Sequence, residues 1–210
     1  MRILGSVALA AVLCLPSTAA RSDAAASAGA LDIASGTYAL DKTHASITWR
    51  VMHMGLSNYT ARFARFDATV SLDAAAVANS TVTVTIDPLS VRTDYSGEED
   101  FDGKISKDAR MLNAGKFPEI KFVSREVRVT GPKRLSVVGD LTMAGVTKPM
   151  TLDATIVGTL KSHPFVKQPA FGISAKGELK RTDFGVAYPP PGGVSDRVEI
   201  LVEAEFIRKP

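Results

Sequence analysis

Val198-Glu199-Ile200-Leu201-Val202-Glu203-Ala204-Glu205-Phe206 carries a two-residue repeat of apolar and acidic side chains. Val198, Ile200, Val202, Ala204 and Phe206 alternate with Glu199, Glu203 and Glu205, and Leu201 alone interrupts the pattern. Successive side chains of a strand point to opposite sheet faces, so this period of two puts apolar groups on one face and carboxylates on the other. A helix would scatter the same residues around its circumference. The stretch predicts a half-buried strand.

The same alternation recurs along the chain. Ile47, Trp49 and Val51 oppose Ser46, Thr48 and Arg50, and Val82, Val84 and Ile86 oppose Thr81, Thr83 and Thr85. β-branched and aromatic residues fill these runs, as a pleated, half-buried surface favours. Strands are predicted over 37–41, 45–54, 60–73, 80–87, 119–129, 134–143, 148–160, 169–180 and 196–208. Turn chemistry separates them at Gly55, Asp73 to Asn79, Gly131-Pro132, Ala144-Gly145 and the Pro189 to Gly193 run. One insert breaks the rhythm: 94–114 is heavily charged, lacks alternation and predicts short helical turns near 97–114. The result is an all-β domain of about eight antiparallel strands. Several runs exceed the usual five or six residues, which favours a deep barrel with room for a small ligand over a sandwich.

The composition fits this reading. A chain of 210 residues, 45% hydrophobic and 22% charged, suits one domain with a real core. The formal charge is only +3, and no run of Lys or Arg exceeds two residues, which argues against a nucleic-acid partner. Residues 1–20, MRILGSVALAAVLCLPSTAA, pair a basic Arg2 with an apolar run, Pro16 and small residues. They read as a signal peptide cleaved after Ala20, placing the protein in the periplasm or outside the cell. The apolar run is too short to span a bilayer. The single cysteine, Cys14, leaves with that segment. The mature chain then has neither a thiolate nucleophile nor a disulfide. Residues 21–35 are small and polar and read as a flexible leader, followed by one domain over 36–210.

Few residues suggest bond-making chemistry. Asp41, His44 and Ser46 supply the residue types of a triad, but they are close neighbours at a turn without a nucleophile elbow. His53 is in phase with Trp49 and Val51, and His163 precedes Pro164 in a loop. No HExxH motif or close histidine pair is present, so no metal site is expected. The acidic run Glu98 to Asp102 lacks the spacing of a calcium loop. No catalytic residue is assigned. Arg181, in Lys180-Arg181-Thr182-Asp183-Phe184-Gly185, carries two readings. Its guanidinium suits two-pronged recognition of a phosphate, and it equally suits a structural pair with Asp183 at a barrel end.

Four segments together resemble the YceI-like family of secreted polyisoprenoid-binding proteins. They are Tyr38 to Gly55, with Asp41, His44 and His53; Met111 to Phe122; Gly139 to Pro149; and Phe171 to Gly185. The order and spacing match over nearly the whole mature chain. Two departures are Ala45, where the family usually has Ser after His, and Ala61-Arg62-Phe63, where a Gly before Phe is usual. The resemblance implies a lipocalin-like barrel, often dimeric, whose apolar interior holds an isoprenoid such as a quinone tail or a polyprenyl phosphate. Ile47, Trp49, Val51, Phe66, Val84, Phe122, Leu141, Phe171 and Ile173 are the candidates for the pocket wall. His53 and Arg181 are the candidates for the head group. The resemblance implies binding, sequestration or transport without catalysis, and no cofactor beyond the bound lipid. The partners it implies are that lipid, a transient membrane contact and a second copy of the chain. Two rivals stand beside it: an isoprenoid-modifying enzyme using His44 and Asp41, and a filled structural barrel acting as an interaction module.

Overall fold

Alternation of this length must close on itself or leave two long unpaired edges. In the computed structural model, which describes residues 30–190 and 192–210, it closes. The strands are β1 (Gly36–His53), β2 (Ser57–Phe63), β3 (Phe66–Leu72), β4 (Thr81–Ile86), β5 (Val91–Arg92), β6 (Ile120–Gly131), β7 (Arg134–Met143), β8 (Val146–Leu160), β9 (Ala170–Lys180) and β10 (Val194–Arg208), with one helix, α1 (Phe101–Lys107). All pairings are antiparallel, and β10 returns to β1 to complete an eight-stranded up-and-down barrel. The signal peptide expected over residues 1–20, and residues 21–29 of the expected leader, lie outside the described residues.

The barrel has eight walls because two of them are broken strands. β2 and β3 pair in series along one edge of β1, and β5 and β4 lie in series along β2 and β3. The single strand expected over 60–73 is therefore interrupted at Ala64-Arg65, and the expected strand 80–87 continues beyond a 3₁₀ turn at Pro88–Ser90. The break has specific partners. Ala64 N–H donates to Ser90 O at 2.9 Å, Asp87 N–H donates to Arg65 O at 3.0 Å, and Arg65 makes a forked pair with Asp87. Those bonds replace the ladder where both strands kink.

The opposite correction applies to β1. Sequence places a strand boundary between 41 and 45, yet the chain runs on through a bulge there. Asp41 Oδ1 accepts from Thr43 N–H at 2.9 Å and from Thr43 Oγ1 at 2.6 Å, which folds the extra residues outward. Before the bulge, Tyr38 and Leu40 are buried; after it, Ile47 and Val51 are. The bulge shifts the inward phase from even to odd numbers, so the local pattern looks like an ending.

The two barrel ends are finished differently. One end carries the β1–β2, β7–β8 and β9–β10 connections and the 93–119 insert. There α1, capped by Asp100 Oδ1 accepting from Gly103 N–H at 2.9 Å, brings Ile105 into the same apolar cluster as Leu112, Phe184 and Val186. The expected helical insert is thus present, with its helix limited to seven residues. The other end carries the β3–β4, β6–β7 and β8–β9 connections. Around it Tyr38, Phe171 and Phe206 form an aromatic group, with successive ring centroids 5.1 Å apart. Residues 31–35, read from sequence as part of a flexible leader, lie against this end. Leu31 N–H donates to Ala74 O at 2.7 Å and Tyr38 OH donates to Ala34 O at 2.5 Å. These residues cover part of that barrel end, and Leu31 reaches the interior.

Candidate functional site

The inward faces of the strands do not meet at the barrel axis. They leave a cavity of about 200 Å³, lined from every wall of the barrel. Well-packed interiors hold few voids larger than a water molecule. Apolar cavities on the order of 150 Å³ already accept benzene-sized solutes. The space can accept a small apolar solute, yet it is smaller than the roughly 300 Å³ at which pockets for drug-sized ligands begin, so volume alone does not separate a binding barrel from a filled one. Its lining is apolar except for Ser80 and Thr81, both at the β3–β4 end of the barrel. No charged side chain reaches it among the described residues.

Of the nine expected wall residues, Ile47, Phe66, Val84, Phe122, Leu141, Phe171 and Ile173 line the cavity. Trp49 and Val51 do not. They share the phase of Ile47 but sit further along β1, toward the end that α1 and the 181–188 segment close. Trp49 packs into the apolar cluster there, with its indole Nε1 buried and without a protein partner. Phase reports which way a side chain faces but not how deep it lies. The lining residues missing from the sequence list include Phe63, Met143, Met150 and Phe206. Phe206 was legible, since it continues the β10 alternation. Leu31 was not, because it precedes any periodic segment, yet it lines the cavity beside Val77.

The head-group candidates fare worse. His53 ends β1 on the exposed surface and is absent from the cavity wall. Arg181 is 5% exposed, and its guanidinium is already occupied. Nε donates to Ser195 O at 3.0 Å, Nη1 to Val186 O at 2.9 Å, and Nη2 to Pro189 O and Val194 O at 2.6 and 3.2 Å. Arg181 ties the long β9–β10 connection to the barrel instead of offering its fork to a phosphate. Burial pushes the guanidinium below its ordinary pKa, and the carboxylate of Asp196 opposes that shift. Asp196, not the exposed Asp183, is the nearby acid, and it also accepts from Thr182 N–H and Oγ1 at 3.0 and 2.9 Å. The structural reading of Arg181 holds with different partners.

The Asp41–His44 pair lies on the outside of the barrel. His44 Nδ1 is 2.9 Å from Asp41 Oδ2, with the imidazole 61% exposed. The hydrogen bond and charge of Asp41 raise the His44 pKa, while His44 and Thr43 together hold Asp41 down to about 2. Glu205 completes a group of three close potential ligand atoms there. None of the three residues lines the cavity. A ligand held inside the barrel is out of reach of this pair.

The sequence from Tyr38 to Phe206 matches the model of the YceI-like domain. The chain belongs to the YceI-like family. Protein YceI of Escherichia coli O157:H7 is 35% identical over 174 residues, covering 82% of this chain and 87% of the relative. The crystal structure of the Campylobacter jejuni YceI protein superposes with a TM-score of 0.66 at 28% identity, covering 74% of this chain and 88% of that one. A polyisoprenoid-binding domain from Saccharophagus degradans shares the fold with a TM-score of 0.57 at 14% identity, covering 82% of this chain and 98% of that one. The matched YceI-like region includes every lining residue except Leu31.

Proposed function

We propose that this YceI-like barrel binds the hydrocarbon chain of an isoprenoid lipid, of quinone or polyprenyl phosphate type, and sequesters or carries it without chemical change. The observation that carries this reading is a cavity whose wall is apolar except for Ser80 and Thr81 at one end, with no charged side chain reaching it among the described residues. Burying each CH₂ of such a chain is worth about 0.8 kcal/mol, so a few isoprene units outweigh the loss of hydration at a polar head left outside. The binding domain from Saccharophagus degradans supports the reading, since the same architecture is named there for a polyisoprenoid. The head group would sit at the Ser80–Thr81 end, where the wall first offers hydroxyls. A long chain exceeds the free volume, so it would spread the lining side chains or project through that end.

The test is extraction of the protein purified without detergent from its native source, followed by mass spectrometry of the bound lipid. An isoprenoid at near-stoichiometric yield is the expected result. Repeated recovery of no isoprenoid, together with failure of the purified protein to take up a short polyprenol, would overturn the proposal.

A further inference from the structure

The β8–β9 connection exposes apolar side chains where a water-soluble domain would ordinarily hide them. Phe165 is 85% exposed, Val166 51%, and Val157 and Leu160, just before the loop, 63% and 48%. The loop is not loose. His163 N–H donates to Gln168 O at 2.7 Å, Lys167 N–H donates to His163 O at 2.9 Å, and Lys167 Nζ donates to Pro164 O at 2.7 Å. These bonds close a tight turn that holds Phe165 and Val166 outward. Contiguous exposed apolar groups of this kind mark an interaction surface.

The charges around the loop identify the partner. Lys161 and Lys167 belong to the loop itself, Lys133 and Arg134 to the neighbouring β6–β7 turn, and Arg208 and Lys209 to the end of β10. Ile156 N–H donates to Lys133 O and Arg208 N–H to Pro169 O, so these segments are physically joined. Two acids at this end, Asp32 and Asp73, are already engaged, the first cancelling the charge of Lys161, and a third, Glu205, lies beside Asp41 and His44. Asp32 pairs with Lys161 at 2.7 Å, and Asp73 accepts from the amides of Ala75 and Ala76 and from Asn79. The far end of the barrel carries the acidic Glu98-Glu99-Asp100 run instead. Exposed aromatic and aliphatic tips ringed by lysines suit the boundary of an anionic bilayer.

We infer that the β8–β9 end of the barrel docks on an anionic phospholipid surface, with Phe165 and Val166 entering the interface and the surrounding lysines facing phosphates. This is also the end at which Ser80 and Thr81 break the apolar lining. Passage of a lipid between bilayer and cavity at this tip rests on the proposed function, whereas the docking does not.

The experiment is co-sedimentation of the purified protein with isoprenoid-free vesicles of pure phosphatidylcholine or of phosphatidylcholine mixed with phosphatidylglycerol. Binding to the mixed vesicles, weakened by salt, is expected. The double variants F165S/V166S and K133Q/K209Q should each lower the partition by about tenfold or more, the first by removing the inserted apolar side chains and the second by removing two exposed ammonium groups. Their unfolding midpoints should stay unchanged, because the replaced side chains are exposed. No binding by the parent protein, or parent-like binding by both variants, would overturn the inference. So would sedimentation showing that F165S/V166S abolishes self-association while vesicle binding persists, because the surface would then belong to a second copy. Because no isoprenoid is present, failure here leaves the cavity proposal standing, and failure of lipid extraction leaves this one standing.

Discussion

Replacing Arg181 by methionine separates its structural role from recognition of a ligand phosphate. The substitution keeps much of the stem's length and apolar contact but removes a guanidinium that serves four carbonyl oxygens. The bond to Val186 O is fully buried, and the acceptor left behind costs about 1–3 kcal/mol. The other three are partly buried, so water replaces some of what is lost, at about 0.5–1 kcal/mol each. The sum is about 2.5–6 kcal/mol, a large share of the 5–15 kcal/mol typical of a domain. Urea unfolding followed by tryptophan fluorescence reads this directly, because Trp49 lies in the apolar cluster that includes Phe184 and Val186. With a slope of about 2 kcal/mol per molar urea, the midpoint should fall by about 2 M. Arg181→Lys should recover only part of it, since one ammonium cannot reach four acceptors spread around a planar fork. If Arg181→Met unfolds at the parental midpoint and loses only lipid retention, the structural assignment is refuted.

Three further perturbations test other parts of the molecule. Ala175→Phe projects an aromatic ring into the cavity between Ala154 and Val202 and should abolish retention of a short polyprenol, with at most about 1–3 kcal/mol of destabilisation; native mass spectrometry and urea unfolding check the two halves. Gly139→Ala should destabilise by about 1–3 kcal/mol in the same unfolding assay, because its Cβ would lie 2.5 Å from both the Phe122 ring and Val123 O. For the Asp41–His44 pair the sign follows from both shifts. The raised His44 pKa means its stabilisation is complete below the ordinary histidine value and disappears as pH rises through the raised one. The lowered Asp41 pKa means its share is present above the ordinary carboxylate range and is lost as pH falls toward about 2. NMR titration should place His44 above its usual value, and Asp41→Asn should bring it back; an unmoved His44 would contradict the pairing.

Which parts of this protein were readable without coordinates follows from where each signal resides. Facing is a local property. The period of two in β1, β4 and β10 puts Ile47, Val84 and Phe206 on the inward face, because a strand has only two faces and one must avoid water. The bulge at Asp41 to Ala45 and the breaks at Ala64-Arg65 and Pro88 blurred strand boundaries, since each replaces ladder bonds by side-chain or turn bonds over a few residues.

The amino-acid order carried an all-β domain of antiparallel strands with one apolar face each, a helical insert and a family resemblance from Tyr38 to Gly185, and it favoured a barrel over a sandwich without closing it. Tertiary structure alone decided depth along the axis, which removed Trp49 and Val51 from the cavity wall and added Leu31. It also decided the fate of Arg181, whose acceptors lie 5 to 14 residues away, on the β9–β10 connection and the first two residues of β10. A guanidinium in sequence is a set of donors without partners. Only packing determines whether those donors meet a ligand or the protein's own backbone.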